Sequence, residues 1–145
     1  MKDLHSGCKA VVAIAAASLS ADPTPPAIDR RGYEAVEVVL SVGVGGITFD
    51  GTNKVEFKLT HSDDNVTYDA VEQKDVLGAT VAAGGIVKSL VAAHAAAAAY
   101  RFGYKGDRRY LKLLPDFSGT HGTGTPISAV AVLGVGHDNP QANQI

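Results

Sequence analysis

The clearest alternation of apolar and polar positions runs from Tyr33 to Val42, where Val36, Val38, Leu40 and Val42 fall on one side of an extended segment. Successive strand residues point to opposite faces, so a period of two predicts a strand with that side in the core. Val55, Phe57 and Leu59 alternate with Glu56, Lys58 and Thr60 and predict a second strand. A third pattern aligns Tyr100, Phe102 and Tyr104 on one side, places Gly106-Asp107 at a turn, and resumes with Arg109, Leu111 and Leu113. This stretch, 100 to 114, predicts a hairpin at the centre of the core. Five of the nine Phe and Tyr residues (Tyr100, Phe102, Tyr104, Tyr110, Phe117) lie in it or just beyond, which is why the core is placed there. Residues 86 to 90 predict a short strand. From 127 to 133, Ile127, Ala129, Ala131 and Leu133 face one way and Val130 and Val132 the other. Apolar residues on both faces fit a central strand, or an edge covered by another chain.

Between these segments the chain is broken by turn chemistry. Asp29-Arg-Arg-Gly32, Gly43-Val-Gly-Gly46, Asp50-Gly-Thr-Asn53 and His61-Ser-Asp-Asp-Asn65 are polar or glycine-rich turns, and 115 to 126 is a long Gly/Thr loop. Val91 to Ala99 is alanine-rich and predicts at most a helical turn or two, being too short for an independent helix. Asp22-Pro-Thr-Pro-Pro26 is extended and poor in backbone donors. It divides the chain into an N-terminal arm, 1–26, a domain, 27–140, and a polar tail, 141–145. About seven short strands then predict a mainly β chain, a single β-sandwich or jelly-roll-like domain with an extended N-terminal arm.

The arm has two readings. Lys2, Lys9, the run from Ala10 to Ser18 and Leu19-Ser20-Ala21 imitate a secretory leader and its cleavage site. Asp3, His5 and the weak hydropathy of an alanine-rich run favour a structural arm or first strand. The apolar residues Val11, Val12 and Ile14 are then placed to add a strand to a neighbour or to the domain's own edge. The run is shorter than the about 20 residues that span a bilayer, so no membrane segment is expected.

Composition narrows the function classes. In 145 residues, 46% are hydrophobic and 19% charged, enough for a core and unlike a disordered chain. A net charge of −2 supplies no basic field for a nucleic-acid backbone, so nucleic acid is not an expected partner. The single cysteine, Cys8, has no internal partner for a disulfide or a cysteine-rich metal site.

Candidate chemistry is sparse. Gly43-Val-Gly-Gly46 follows a strand as a phosphate loop would, but no helix start or Gly-Lys-Ser/Thr follows it, and a turn explains it. His61, Asp63 and Asp64 carry metal-ligating or acid/base groups, yet adjacent carboxylates diverge along a strand and turn chemistry accounts for them. His121 and His137 read as exposed loop residues. No Gly-x-Ser-x-Gly elbow occurs. Catalytic, cofactor and metal residues are therefore not assigned. Lys105, Arg108 and Arg109, in the turn after the aromatic strand, are the groups placed to meet a partner, since guanidinium pairs carboxylates bidentately.

Taken together, Asp3-Leu4-His5, Asp29-Arg-Arg-Gly-Tyr-Glu34, His61-Ser-Asp63, Asp75-Val-Leu-Gly78, Gly103-Tyr-Lys-Gly106 with Arg109-Tyr110, and Ile127-Ser-Ala-Val-Ala-Val-Leu-Gly134 resemble the small virion structural proteins of tailed bacteriophages. The resemblance runs from Asp3 to Pro140. It implies a non-enzymatic capsid decoration or cement protein, assembled in the host cytoplasm, whose partner is the major capsid protein. It further implies self-association around a capsid symmetry axis, for instance as a trimer. Head-completion, connector or tail-associated roles are the alternative. A secreted carbohydrate- or surface-binding β-sandwich is the other, resting on the leader-like start and the aligned rings.

Overall fold

The computed structural model describes residues 3–145, so Met1 and Lys2 of the expected arm lie outside the described residues. Ten strands occur in them: β1 (Cys8–Leu19), β2 (Ile28–Asp29), β3 (Tyr33–Val42), β4 (Lys54–Ser62), β5 (Asp69–Ala70), β6 (Val76–Leu77), β7 (Ile86–Leu90), β8 (Ala98–Tyr104), β9 (Tyr110–Ser118) and β10 (Thr125–Gly136). Two short 3-10 turns, His5–Gly7 and Gln73–Asp75, complete the regular structure. All pairings are antiparallel. One sheet has the order β1-β10-β3-β8-β6 and the other β2-β9-β4-β5, with β7 also on β4.

The strongest sequence patterns become the strands that carry the core. Val36, Val38, Leu40 and Val42 of β3 are buried, as are Val55, Phe57 and Leu59 of β4 and Ile127, Ala129, Ala131 and Leu133 of β10. With Phe102, Leu111 and Leu113 they form one cluster to which both sheets contribute. β10 lies between β1 and β3, with the Ile127, Ala129, Ala131 and Leu133 side in the core and Val130 exposed on the outer face.

The segment expected as an extended arm or a first strand takes the second form: it is strand β1 on the domain's own edge, paired with β10 from Cys8↔Gly134 to Leu19↔Thr125, and not an extended arm. Ala13 and Ile14 enter the common core at 0% and 2% exposure, and Val11 packs against it. A segment that buries such residues gains more from the domain's own edge than from extending into water. The Pro-rich link therefore joins two strands of one body, and the tail folds back on β1: the Gln144 side-chain amide donates to Ala10 C=O and accepts from Ala10 N–H, at 2.8 and 2.9 Å.

The 100–114 stretch is not a hairpin. β8 belongs to the first sheet and β9 to the second, so residues 105–109 cross from sheet to sheet. Alternation cannot separate the two cases, because both sheets turn one face to the same core. What holds the crossover is Arg30, whose guanidinium donates to Arg108 C=O at 2.6 Å and to Gly106 C=O at 3.1 Å.

Residues 91–97 contain no helical turn. His94 is tied by Nδ1 to Gly43 C=O at 2.8 Å and by Nε2 to Tyr100 Oη at 2.9 Å, and these ties outweigh the small propensity of a few alanines. The Gly43–Gly46 turn packs against the Gly/Thr loop so closely that a Cβ on Gly46 would sit 1.9 Å from Gly124 O. Glycine is required there by backbone contact, not by a phosphate. No helix among the described residues is long and apolar enough to cross a membrane.

Candidate functional site

The edge strands of the two sheets meet beside the crossover, and there the molecule gathers its polar groups. β4 continues its inward series Val55, Phe57, Leu59 to His61, which is 9% exposed. Across the core, the inward series of β8 ends at Tyr104, 4% exposed. The two rings meet edge to face with centroids 5.8 Å apart, and His61 Nδ1 lies 2.9 Å from Tyr104 Oη. Arg108 N–H donates to the same phenol oxygen at 3.2 Å. With the phenol oxygen already accepting from the backbone, we assign the second bond as Tyr104 O–H donating to Nδ1, the tautomer that carries the His61 proton on Nε2. This hydrogen bond joins the two sheets.

Both groups are tuned by burial. Desolvation, and next the positive charge of Arg108, lower the pKa of His61 below its ordinary 6.5, against a smaller opposing pull from Asp75, Asp69 and Asp63. Desolvation raises the Tyr104 phenol above its usual value. The pair is neutral near neutral pH.

The remaining wall comes from β5, the 3-10 turn with Glu72 before it, and Asp107 and Arg108 of the crossover. Asp75, 7% exposed, closes that turn: its Oδ2 accepts Glu72 N–H at 3.0 Å, and its backbone C=O accepts Lys105 N–H at 2.8 Å. Around the rim, Arg108 pairs with Asp69 and, at 3.7 Å, with Asp63, while Lys74 pairs with Glu72 at 2.8 Å. The result is a cavity of about 380 Å³ at the end of the second sheet, beside the crossover.

The groups read from sequence as partner contacts are distributed differently. Val12 is exposed, but Ile14 and Val11 face the core. Arg109 forms a bidentate pair with Asp29, Nε and Nη2 each at 2.8 Å from a carboxylate oxygen. Arg108 is held by Asp69 and Asp63, so both guanidiniums already have internal carboxylates. Lys105 is exposed at the crossover. His61 was expected in an exposed turn and is buried. Asp64 does cap the turn, its Oδ1 accepting Val66 and Thr67 N–H, both at 2.8 Å, which lowers its pKa. His121 is likewise buried, at 3% exposure, between Phe49 and Phe117, with Nε2–H donating to Ser118 C=O at 2.8 Å. His137 is exposed and pairs with Glu34.

The signal for His61 was present in the sequence, since it extends the i+2 series of β4; the polar run after it obscured this. Asp75 carried no periodic signal. Among the described residues, no group of three or more His, Cys, Asp or Glu side chains is placed to hold a metal ion.

No protein-family model matches the chain, and no curated protein matches it in sequence. Among solved structures, one from work on Bacillus endospore appendages, described as a family of disulfide-linked pili, aligns at 15% identity. The alignment covers 91% of this chain and 93% of that one at a TM-score of 0.34, which carries no argument about this protein.

Proposed function

We propose that this protein is a non-enzymatic structural component of a tailed-phage virion, a capsid decoration or cement protein docking on the outer surface of the head. The two sheets are taken as a sandwich whose one outer face is the docking surface. The observation that carries this reading is the apolar character of that face. Across β1, β10 and β3 runs the row Val12–Val130–Val39, with Val12 54% and Val130 40% exposed. The next row is Ala10–Val132–Glu37–Gly103–Leu77, reaching β8 and β6. A groove of about 610 Å³ crosses it, its apolar lining including Leu4, Ala35, Leu77, Val132 and Val135, with Asp3, Glu34, Glu37 and Lys105 as its charged residues. Extended apolar patches of this kind mark association surfaces. The sequence resemblance supplies the partner class, the major capsid protein, with self-association around a capsid axis.

The test is quantitative mass spectrometry of purified particles, joined to add-back of recombinant protein to particles lacking it. Copies comparable with the major capsid protein are expected, and a Val12→Lys/Val130→Lys variant that keeps its fold is expected to lose particle binding. A handful of copies per particle would move the role to a connector or the tail. Absence from particles would end the virion reading.

A further inference from the structure

We propose that the cavity beside the crossover, floored by His61 and Asp75, is a binding site for a neutral hydroxylated ligand, a sugar or related polyol. The inference is independent of the virion reading, and either can fail without the other.

Two side chains that are nine-tenths buried reach this cavity with unused hydrogen-bonding capacity. His61 is 9% exposed and spends Nδ1 on Tyr104. Its Nε2 has no protein partner among the described residues, yet it is not sealed, since the one sealed, unpartnered side-chain polar atom among them is His121 Nδ1. Nε2–H therefore faces the cavity. Asp75 is 7% exposed and uses Oδ2 on Glu72 N–H. Its Oδ1 has no protein donor among the described residues and is also not sealed, and no Lys or Arg nitrogen among them lies within 4.0 Å of the carboxylate. An oxygen that reaches the cavity and has no protein donor is free to accept from a ligand group.

The cavity thus offers one N–H donor and one carboxylate acceptor, and the choice of ligand follows from that pair. An ammonium group satisfies Asp75 but cannot accept from Nε2–H, and it meets Arg108 and Lys74 in the same lining. A carboxylate satisfies Nε2–H but cannot donate to Oδ1, and both a carboxylate and a phosphate meet the negative charge of Asp75. A hydroxyl accepts and donates at once. At the rim Arg108 is paired with Asp69 and Lys74 with Glu72, while Asp107 and Asp75 have no Lys or Arg partner among the described residues, so the lining is acidic and offers carboxylate acceptors to ligand hydroxyls. At about 380 Å³ the cavity lies at the small end of the range for small-molecule sites, which suits one sugar ring.

The test uses the full chain and nitrogen–proton NMR spectra with four probe classes: methyl glycosides of glucose, galactose and mannose; glycerol; putrescine; and inorganic phosphate. The expected result is saturable shifts with at least one glycoside, confined to the His61 ring and the amides of Glu72, Asp75, Lys105 and Arg108. Asp75→Asn keeps an oxygen for Glu72 N–H and is expected to weaken binding at least about tenfold, as is His61→Gln. Native spectra of each variant establish its fold, and the wild-type titration decides the matter should a variant unfold. No glycoside response up to about 100 mM, far above a weak-site Kd of about 1 mM, overturns the proposal. So does saturable binding of putrescine or phosphate in place of the sugars.

Discussion

His61 couples packing to protonation. It must stay neutral to accept from Tyr104, and burial together with Arg108 lowers its pKa below 6.5. In the unfolded chain it takes up a proton near 6.5, in the folded chain only at lower pH. Between those values the unfolded state binds more protons, so stability falls as pH is lowered through the window and this contribution levels off below the folded pKa. The groups facing the ring are Tyr104, Arg108, Asp75, Asp69 and Asp63, and Arg108 keeps its charge throughout. Urea unfolding of wild type and His61→Gln at pH 7.5 and 5.5 is expected to show a smaller pH loss in the variant, whose glutamine does not titrate. Equal losses would assign the dependence elsewhere. Residue-level reading of the sequence succeeded where one face was apolar, as at Leu40 or Phe57. It missed His61, which closes the inward series of β4, and His121, in the loop after β9, because both are buried by what packs on them and not by their own hydropathy.

At the level of elements, the exposed β1 edge is the least protected feature of the first sheet. Unpaired edge groups are templates for another strand, and this one is long and nearly free of charge. The tail answers part of the problem. Gln144 occupies Ala10 N–H and C=O as a neighbouring peptide would, Asn143 bonds His5 at 2.9 Å, and Gln141 N–H donates to Ser6 C=O at 2.9 Å. Antiparallel ladders alternate, so Cys8 and Val12 direct their backbone groups the same way as Ala10. Gln144→Ala is expected to change stability by no more than about 0.5 kcal/mol while speeding amide exchange at Ala10 and raising self-association. Hydrogen exchange and sedimentation velocity measure both. Exchange at Ala10 that matches wild type would deny the tail this role. A polar tail with no apolar period gave no sequence sign of such docking, just as alternation at 100–114 could not tell a hairpin from a crossover.

For the whole molecule, the question is whether β1 is an appendage or part of the body. It pairs with β10 along nearly its full length and places Ala13 and Ile14 in a core to which both sheets contribute. Burying one isoleucine side chain is worth roughly 1.5–3 kcal/mol, and the lost ladder adds to it, against a total stability of about 5–15 kcal/mol for a typical domain. Removing β1 would also make β10 an edge strand, apolar on both faces, with Val130 and Val132 beside unpaired backbone groups. Deleting residues 1–20 should therefore abolish or greatly lower the cooperative thermal transition and drive aggregation, where removal of a free arm would leave both unchanged. Circular dichroism melts and light scattering on the truncated and full chains decide between the two. β1 and β10 come from opposite ends of the chain, so their pairing closes a loop of nearly the whole sequence and belongs to the slow, non-local class of folding steps. Refolding of the full chain after a denaturant jump is then expected to regain β1 protection late, and pulsed hydrogen exchange that found Lys9 and Val11 protected before β3 and β4 would contradict the assignment of β1 as the closing strand.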